Sequence, residues 1–196
     1  MIRSNFILFF FGFIIINLCA CILVNFEFKN KKVIAFLGYI ISLMIIISLC
    51  FFPFPFQDSL LEDMIQHNEG LANNFVPFKT IFGIIKEAVE NKIYIIIVYQ
   101  IIGNIILFMP VGFSLYFFVD KKRRMLRGLI CIIFTSLSVE ALQGAYGIML
   151  SINYRSVDID DLILNVIGGV LGFIVASFVY GCKDTLFARI LRNRAE

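Results

Sequence analysis

Apolar residues in this chain gather into long runs rather than alternating with polar ones. Five stretches approach the length of a membrane crossing: residues 5–24, 33–52, 93–119, 125–146 and 158–180. A helix rising 1.5 Å per residue needs about 20 such residues to cross about 30 Å of hydrocarbon. The first run is too long for the core of a secretory signal, and only Arg3 precedes it, so it reads as a retained span. Pro53 and Pro55 close the second run. In the third, F-M-P-V-G predicts a bend at Pro110, which has no amide to donate.

The polar connection 53–92 holds two short helical patterns. D-S-L-L-E-D-M-I-Q-H-N sets Leu60, Leu61, Met64 and Ile65 on one side of a helix. I-F-G-I-I-K-E-A-V-E does the same for Ile81, Phe82, Ile85, Ala88 and Val89. Both are expected to lie at the membrane interface or to cap the bundle. N-F-V-P-F-K-T, residues 74–80, separates them, and Pro77 favours an extended segment there. The expected fold is all-α: one domain over 1–196, a polytopic membrane bundle of about five spans, with amphipathic helices in the 53–92 connection.

Composition narrows the class. The chain is 60% hydrophobic and 16% charged, against roughly 25% charged in soluble domains. That leaves no room for a water-soluble domain of any size. The net charge of +3 matters less than its distribution, because three blocks hold twelve of the 17 basic residues. They are Lys29, Lys31 and Lys32; Lys121 to Arg124 with Arg127; and Lys183, Arg189, Arg192 and Arg194. Basic blocks between spans orient a membrane protein and touch anionic lipid, so nucleic acid is not an expected partner. With the blocks in the cytoplasm, the N-terminus and the 53–92 connection lie outside and the C-terminus inside. Six acids against three lysines in that connection agree. Cys19, Cys21, Cys50, Cys131 and Cys182 lack metal-ligand spacing and read as small hydrophobes. His67, the only histidine, reads as a solvated loop residue.

The candidate chemistry lies in the ionisable and amide residues inside the spans, which are costly there and point to function by default. Glu140 stands roughly 22 Å along its helix from Met125, with Ser136 and Gln143 on the same face. In the last span Asp158, Asp161, Asn165, Gly168 and Gly172 step by three and four, one stripe down a helix. Its glycines allow another helix to approach closely. Asp160 lies off the stripe and is expected to cap the helix start. Gln100 and Asn104 pair at i and i+4 in the third span, and Arg155 stands just outside, able to fork onto a carboxylate or an anion. Two readings compete: a polar cavity open to the outer leaflet, or a buried network pinning helices together. As a site, it can hold a divalent cation, Mg²⁺ or Ca²⁺, work as an acid–base pair, or bind a cationic or hydroxyl-rich headgroup. Spacing does not separate these, and no motif demands a cofactor.

Four blocks taken in order resemble the VanZ-like family of bacterial membrane proteins. They are N-F-V-P-F-K-T at 74–80, N-I-I-L-F-M-P-V-G at 104–112, S-x-x-x-E-x-x-Q at 136–143, and R-S-x-D-x-D-D-x-x-x-N-x-x-G-x-x-x-G at 155–172. The resemblance covers about half the chain, residues 74–175, and the first two spans carry no signature. It maps the family's recurrent positions onto Pro77, Phe78, Asn104, Phe108, Pro110, Gly112, Glu140, Gln143, Arg155, Asp158, Asp161, Asn165 and Gly168. It implies a multi-pass protein of the bacterial cytoplasmic membrane that lowers susceptibility to teicoplanin-type lipoglycopeptides. The expected function is to bind or alter an amphiphile at the outer leaflet: a lipid, a lipoglycopeptide or a lipid-linked wall precursor. Glu140 and Asp161 are its expected catalytic or central pair, and Gln100, Asn104, Gln143, Arg155, Asp158 and Asn165 its binding residues. An intramembrane enzyme and a non-catalytic scaffold for a membrane partner are the alternatives. A small transporter is disfavoured for want of inverted repeats or broken-helix pairs. The oligomeric state is open.

Overall fold

The computed structural model describes residues 11–19, 30–51, 58–67, 70–119 and 123–193. Helix α1 covers residues 11–19, α2 Asn30–Phe51, α3 Asp58–Gln66 and α4 Lys79–Glu90. Then come α5 at Ile95–Ile97, a π-helical turn at Val98–Ile102 and α6 at Gly103–Phe118. Two long helices finish the chain, α7 at Arg124–Leu150 and α8 at Ile159–Asn193. Among the described residues, Val33–Phe51, Ile95–Phe117, Arg124–Leu150 and Ile159–Tyr180 are long and apolar enough to cross a membrane. These are four of the five expected spans. Most of the first, 5–24, lies outside the described residues, and its part at 11–19 is helical.

Two boundaries move. The fourth span runs a turn past Tyr146, to Leu150, because Tyr146, Gly147 and Leu150 are all buried there. Ser151, in the left-handed region at φ 55°, then ends the helix. In the third span α6 continues as helix through Pro110. Ahead of it, at Val98–Ile102, hydrogen bonds to the fifth residue insert a bulge.

Inside hydrocarbon, helices gain little from leaving their solvent, so association rests on close contact and polar ties. The most extensive pair is α6 with α8. A Cβ on Gly168 would overlap the Ile105 carbonyl, one on Gly172 the Met109 carbonyl, and one on Gly112 the carbonyl of Gly169. The glycine end of the stripe is therefore a helix-packing surface, as its spacing predicts. Around it, Tyr39, Leu43 and Ile46 of α2, Phe108 and Leu115 of α6, and Ile132 of α7 form the core. Tyr39 Oη meets Thr135 Oγ1 at 3.1 Å, tying α2 to α7, and Asn17 Nδ2 donates to Ser138 Oγ at 3.1 Å, tying α1 to α7. Leu49, Ile106, Leu137 and Phe178 point outward, as lipid-facing residues do.

The short helices divide their apolar residues. In α3, Leu61 and Met64 pack on the core while Leu60 and Ile65 are exposed. In α4 the buried positions are Ile84 and Ala88, with Ile81 half-buried. Phe82, Ile85 and Val89, expected on the same side, are exposed beside them. The apolar arc of α4 is wider than one contact can cover, so one half meets protein and the other is left for lipid.

Candidate functional site

The acidic corner is built where the loop before α8 meets the loop before α4. Residues 70–74 run beside 153–159: Leu71 N donates to Asn153 O at 2.8 Å, Asn74 N to Val157 O at 2.9 Å, and Ile159 N to Asn74 O at 3.0 Å. This places the N-F-V-P-F-K-T block against the D-I-D-D block, about 80 residues away in sequence. Both blocks sit at helix N-termini, where backbone amides lack partners within their own helix.

Asp158, not Asp160, caps α8. Its Oδ1 accepts the Asp160 amide at 2.8 Å and Asn74 Nδ2 at 2.9 Å, and its Oδ2 accepts Thr80 Oγ1 at 2.6 Å. Asp160, expected as that cap, serves another helix. Its carboxylate accepts the amides of Phe78, Thr80 and Ile81, the first turn of α4. An anion at a helix N-terminus is favoured both by these donors and by the helix dipole. The arrangement also holds Phe78 in the left-handed region, at φ 66°, a conformation aromatic residues avoid. Asp158 and Asp160 are 5% and 1% exposed, and six donors are spent on the two of them.

The neighbouring acids are provided for differently. Glu140 of α7 is 6% exposed and accepts one described hydrogen bond, from the Asp158 amide at 2.9 Å. Asp161, half-buried on α8, accepts one, from Asn104 Nδ2 of α6 at 2.6 Å. The two carboxylates are close enough for their charges to act on one another. Gln143 and Asn165, a turn along from Glu140 and Asp161 on the same faces, are 8% and 3% exposed. Their side-chain oxygens, Oε1 and Oδ1, have no partner. Ser136 Oγ reaches the Leu162 carbonyl at 3.5 Å, a weak tie between α7 and α8.

Other expected members stand at the rim. Gln100 enters only through its backbone carbonyl, which accepts Asn104 Nδ2 at 3.0 Å, while its own side chain is exposed. The cause is the π-helical turn, which changes the register on which the i, i+4 pairing depended. Arg155 is half-buried, with its guanidinium 5.5 Å from the centre of the Tyr154 ring. Cys50, at the end of α2, lies within electrostatic range of Asp161, Glu140 and Arg155, a neighbour that sequence spacing does not reveal. Asn74, Thr80 and the capping role of Asp160 were likewise missed. The signal for them is there, in two polar residues six apart within an apolar block and two aspartates flanking a helix start.

The described residues form a packed cluster with one open edge, at Asp161, Asn104 and Gln100. Cavities of about 630 and 510 Å³ lie away from it, the first an apolar groove between α1 and α7 lined by Phe13, Phe134 and Leu142. One of about 470 Å³ borders the loop pairing at Leu71 and Asn153 without any of the four acids in its lining. Among the described residues, no three His, Cys, Asp or Glu side chains converge as a metal site would require. His67 is exposed and bonded to the Asp63 carbonyl at 2.9 Å, far in role from any of this.

No curated protein and no solved structure matches the chain. The family model described as VanZ/LLP1 matches residues 36–180. That match reaches further than the four sequence blocks, into α2, whose Tyr39, Leu43 and Ile46 pack in the core without any polar signature. Most of the chain is covered, including every residue of the acidic corner, and the protein belongs to the VanZ/LLP1 family.

Proposed function

We propose that this protein works in the bacterial cell envelope by engaging the polar head of an amphiphile at the outer leaflet, and that this lowers susceptibility to teicoplanin-type glycopeptides. The amphiphile is a membrane lipid or the lipoglycopeptide itself. One observation carries the reading: within a single acidic corner, Asp158 and Asp160 each accept three hydrogen bonds, whereas Glu140 and Asp161 each accept one. A purely structural network fills its acceptors, since a buried polar group left short of partners is costly. The open edge at Asp161 and Asn104 supplies an entrance, and the exposed arc of α4 supplies an apolar surface for a lipid tail beside it. The positive-inside arrangement of the basic blocks supports an outer-side position for that edge.

In this role Asp161 and Asn104 meet the headgroup first, Glu140, Gln143 and Asn165 back it, and Arg155 with the exposed Gln100 borders the mouth. A second reading has one specific support: two carboxylates with spare acceptor capacity, acting on each other electrostatically, are suited to acid–base work on a lipid-linked substrate. The test is expression in a glycopeptide-susceptible bacterial strain, with inhibitory concentration and membrane abundance measured together. Glu140→Gln and Asp161→Asn are expected to abolish protection at unchanged abundance. Full protection by both variants rejects the assignment. Turnover of envelope lipids by purified protein, lost in the same variants, selects the enzyme reading.

A further inference from the structure

The under-bonded half of the corner also narrows what the ligand must offer. Resting on the reading above, we propose that the group it receives is a protonated primary amine. The donor–acceptor balance carries the inference. Glu140 and Asp161 are carboxyl groups, each having room as a carboxylate for about four hydrogen bonds and accepting one among the described residues. Beside them, on the same helix faces, the oxygens of Gln143 and Asn165 are unpartnered although these side chains are 92% and 97% shielded by the fold. Unpaired oxygens that deep are costly unless something donates to them. Four side chains along the facing sides of α7 and α8 therefore present acceptor oxygens, and two of them are carboxyl groups.

Phosphate and carboxylate ligands, which only accept, find no donor among these four oxygens. A neutral hydroxyl supplies one proton for these four acceptors. An ammonium supplies three N–H donors and a positive charge from a single atom, and charge-assisted bonds of this type are the strong ones. Such an amine comes from an aminophospholipid headgroup or from a free amine on a lipoglycopeptide.

The experiment uses the full chain in phosphatidylglycerol nanodiscs, with retained ligand counted by native mass spectrometry. One pair of samples adds phosphatidylethanolamine or its N-acetylated form. A second pair adds a lipoglycopeptide with free or acetylated amines. At least about tenfold better retention of the free amine is expected in one pair, since each bond to a charged group is worth more than the tenfold threshold. The pair that shows it identifies the source. Asp161→Asn is expected to remove the preference, and the wild-type contrast stands even where a variant folds poorly. Equal retention of free and acetylated forms overturns the amine and leaves amphiphile binding intact. Retention of neither, in either pair, overturns both. Mg²⁺ alone competing the amine away from the wild-type protein and not binding the Asp161→Asn variant assigns the face to a metal, and the proposal fails.

Discussion

Asp158 and Asp160 differ from Glu140 and Asp161 in little that a sequence displays: all four are acids at or near the same end of two helices. The structure sets them apart by what donates to them. The first pair closes a joint, drawing together α4, α8 and the 70–74 segment through six hydrogen bonds. The second pair, on α7 and α8, accepts one bond each, from the Asp158 amide and from Asn104 of α6, with two unpartnered amide oxygens alongside. The lesson is that charge inside a membrane bundle is not one phenomenon. A carboxylate whose oxygens are filled by backbone amides is part of the frame, and one whose oxygens are left over is available for work.

The sharpest way to break this contrast is to remove the cap. Asp160→Ala strands three part-buried amides and empties the N-terminus of α4, so a loss of about 3 kcal/mol is expected. Thermal unfolding in detergent, with protease sensitivity of the 70–90 region, measures it. An unchanged midpoint rejects Asp160 as frame. Thr80→Val comes next. It deletes the 2.6 Å bond to Asp158 and the 3.0 Å bond accepted from Asn74 Nδ2 while keeping the shape, with about 1 to 2 kcal/mol expected on the same assay.

On the other side of the comparison the stability effect shrinks and the functional one grows. Glu140→Gln keeps an acceptor for the Asp158 amide, and Asp161→Asn keeps one for Asn104. Both are expected to stay within about 1 kcal/mol of the parent in unfolding while protection is lost. If they unfold as readily as Asp160→Ala, the two pairs belong to one frame and the contrast fails. The smallest effect is expected from Asn165→Leu. It replaces an amide with an unpaired oxygen by an apolar group of similar size, so stability holds or rises by up to about 1 kcal/mol. A clear loss of stability there means that the amide is already satisfied.

Much of this molecule is legible in its residues. Long apolar runs dictate helices, because no other open structure satisfies the backbone in hydrocarbon. The three- and four-residue steps from Asp161 through Asn165 to Gly168 and Gly172 place those residues on one face whatever surrounds them. The close contact of Gly168 with Ile105 and of Gly172 with Met109 follows from that spacing and the small side chains. Helical periodicity also puts Gln143 beside Glu140. It fails for Gln100, since a π-helical turn is a local change of register with no reliable composition of its own.

What periodicity cannot carry is the identity of partners far apart in the chain. That Asp160 caps α4 rather than α8 depends on residues 78–81 lying against residue 160, a pairing across about 80 positions. Nothing in D-I-D-D distinguishes an acid that will receive three amides from one that will receive a single side chain. The sequence by itself determined the apolar runs that form long helices and the faces their polar residues share, because helix geometry acts locally. Only the tertiary structure decided which carboxylates are filled and which are left open. Hydrogen bonds saturate, and the donors that saturate Asp158 and Asp160 are delivered by a different part of the chain.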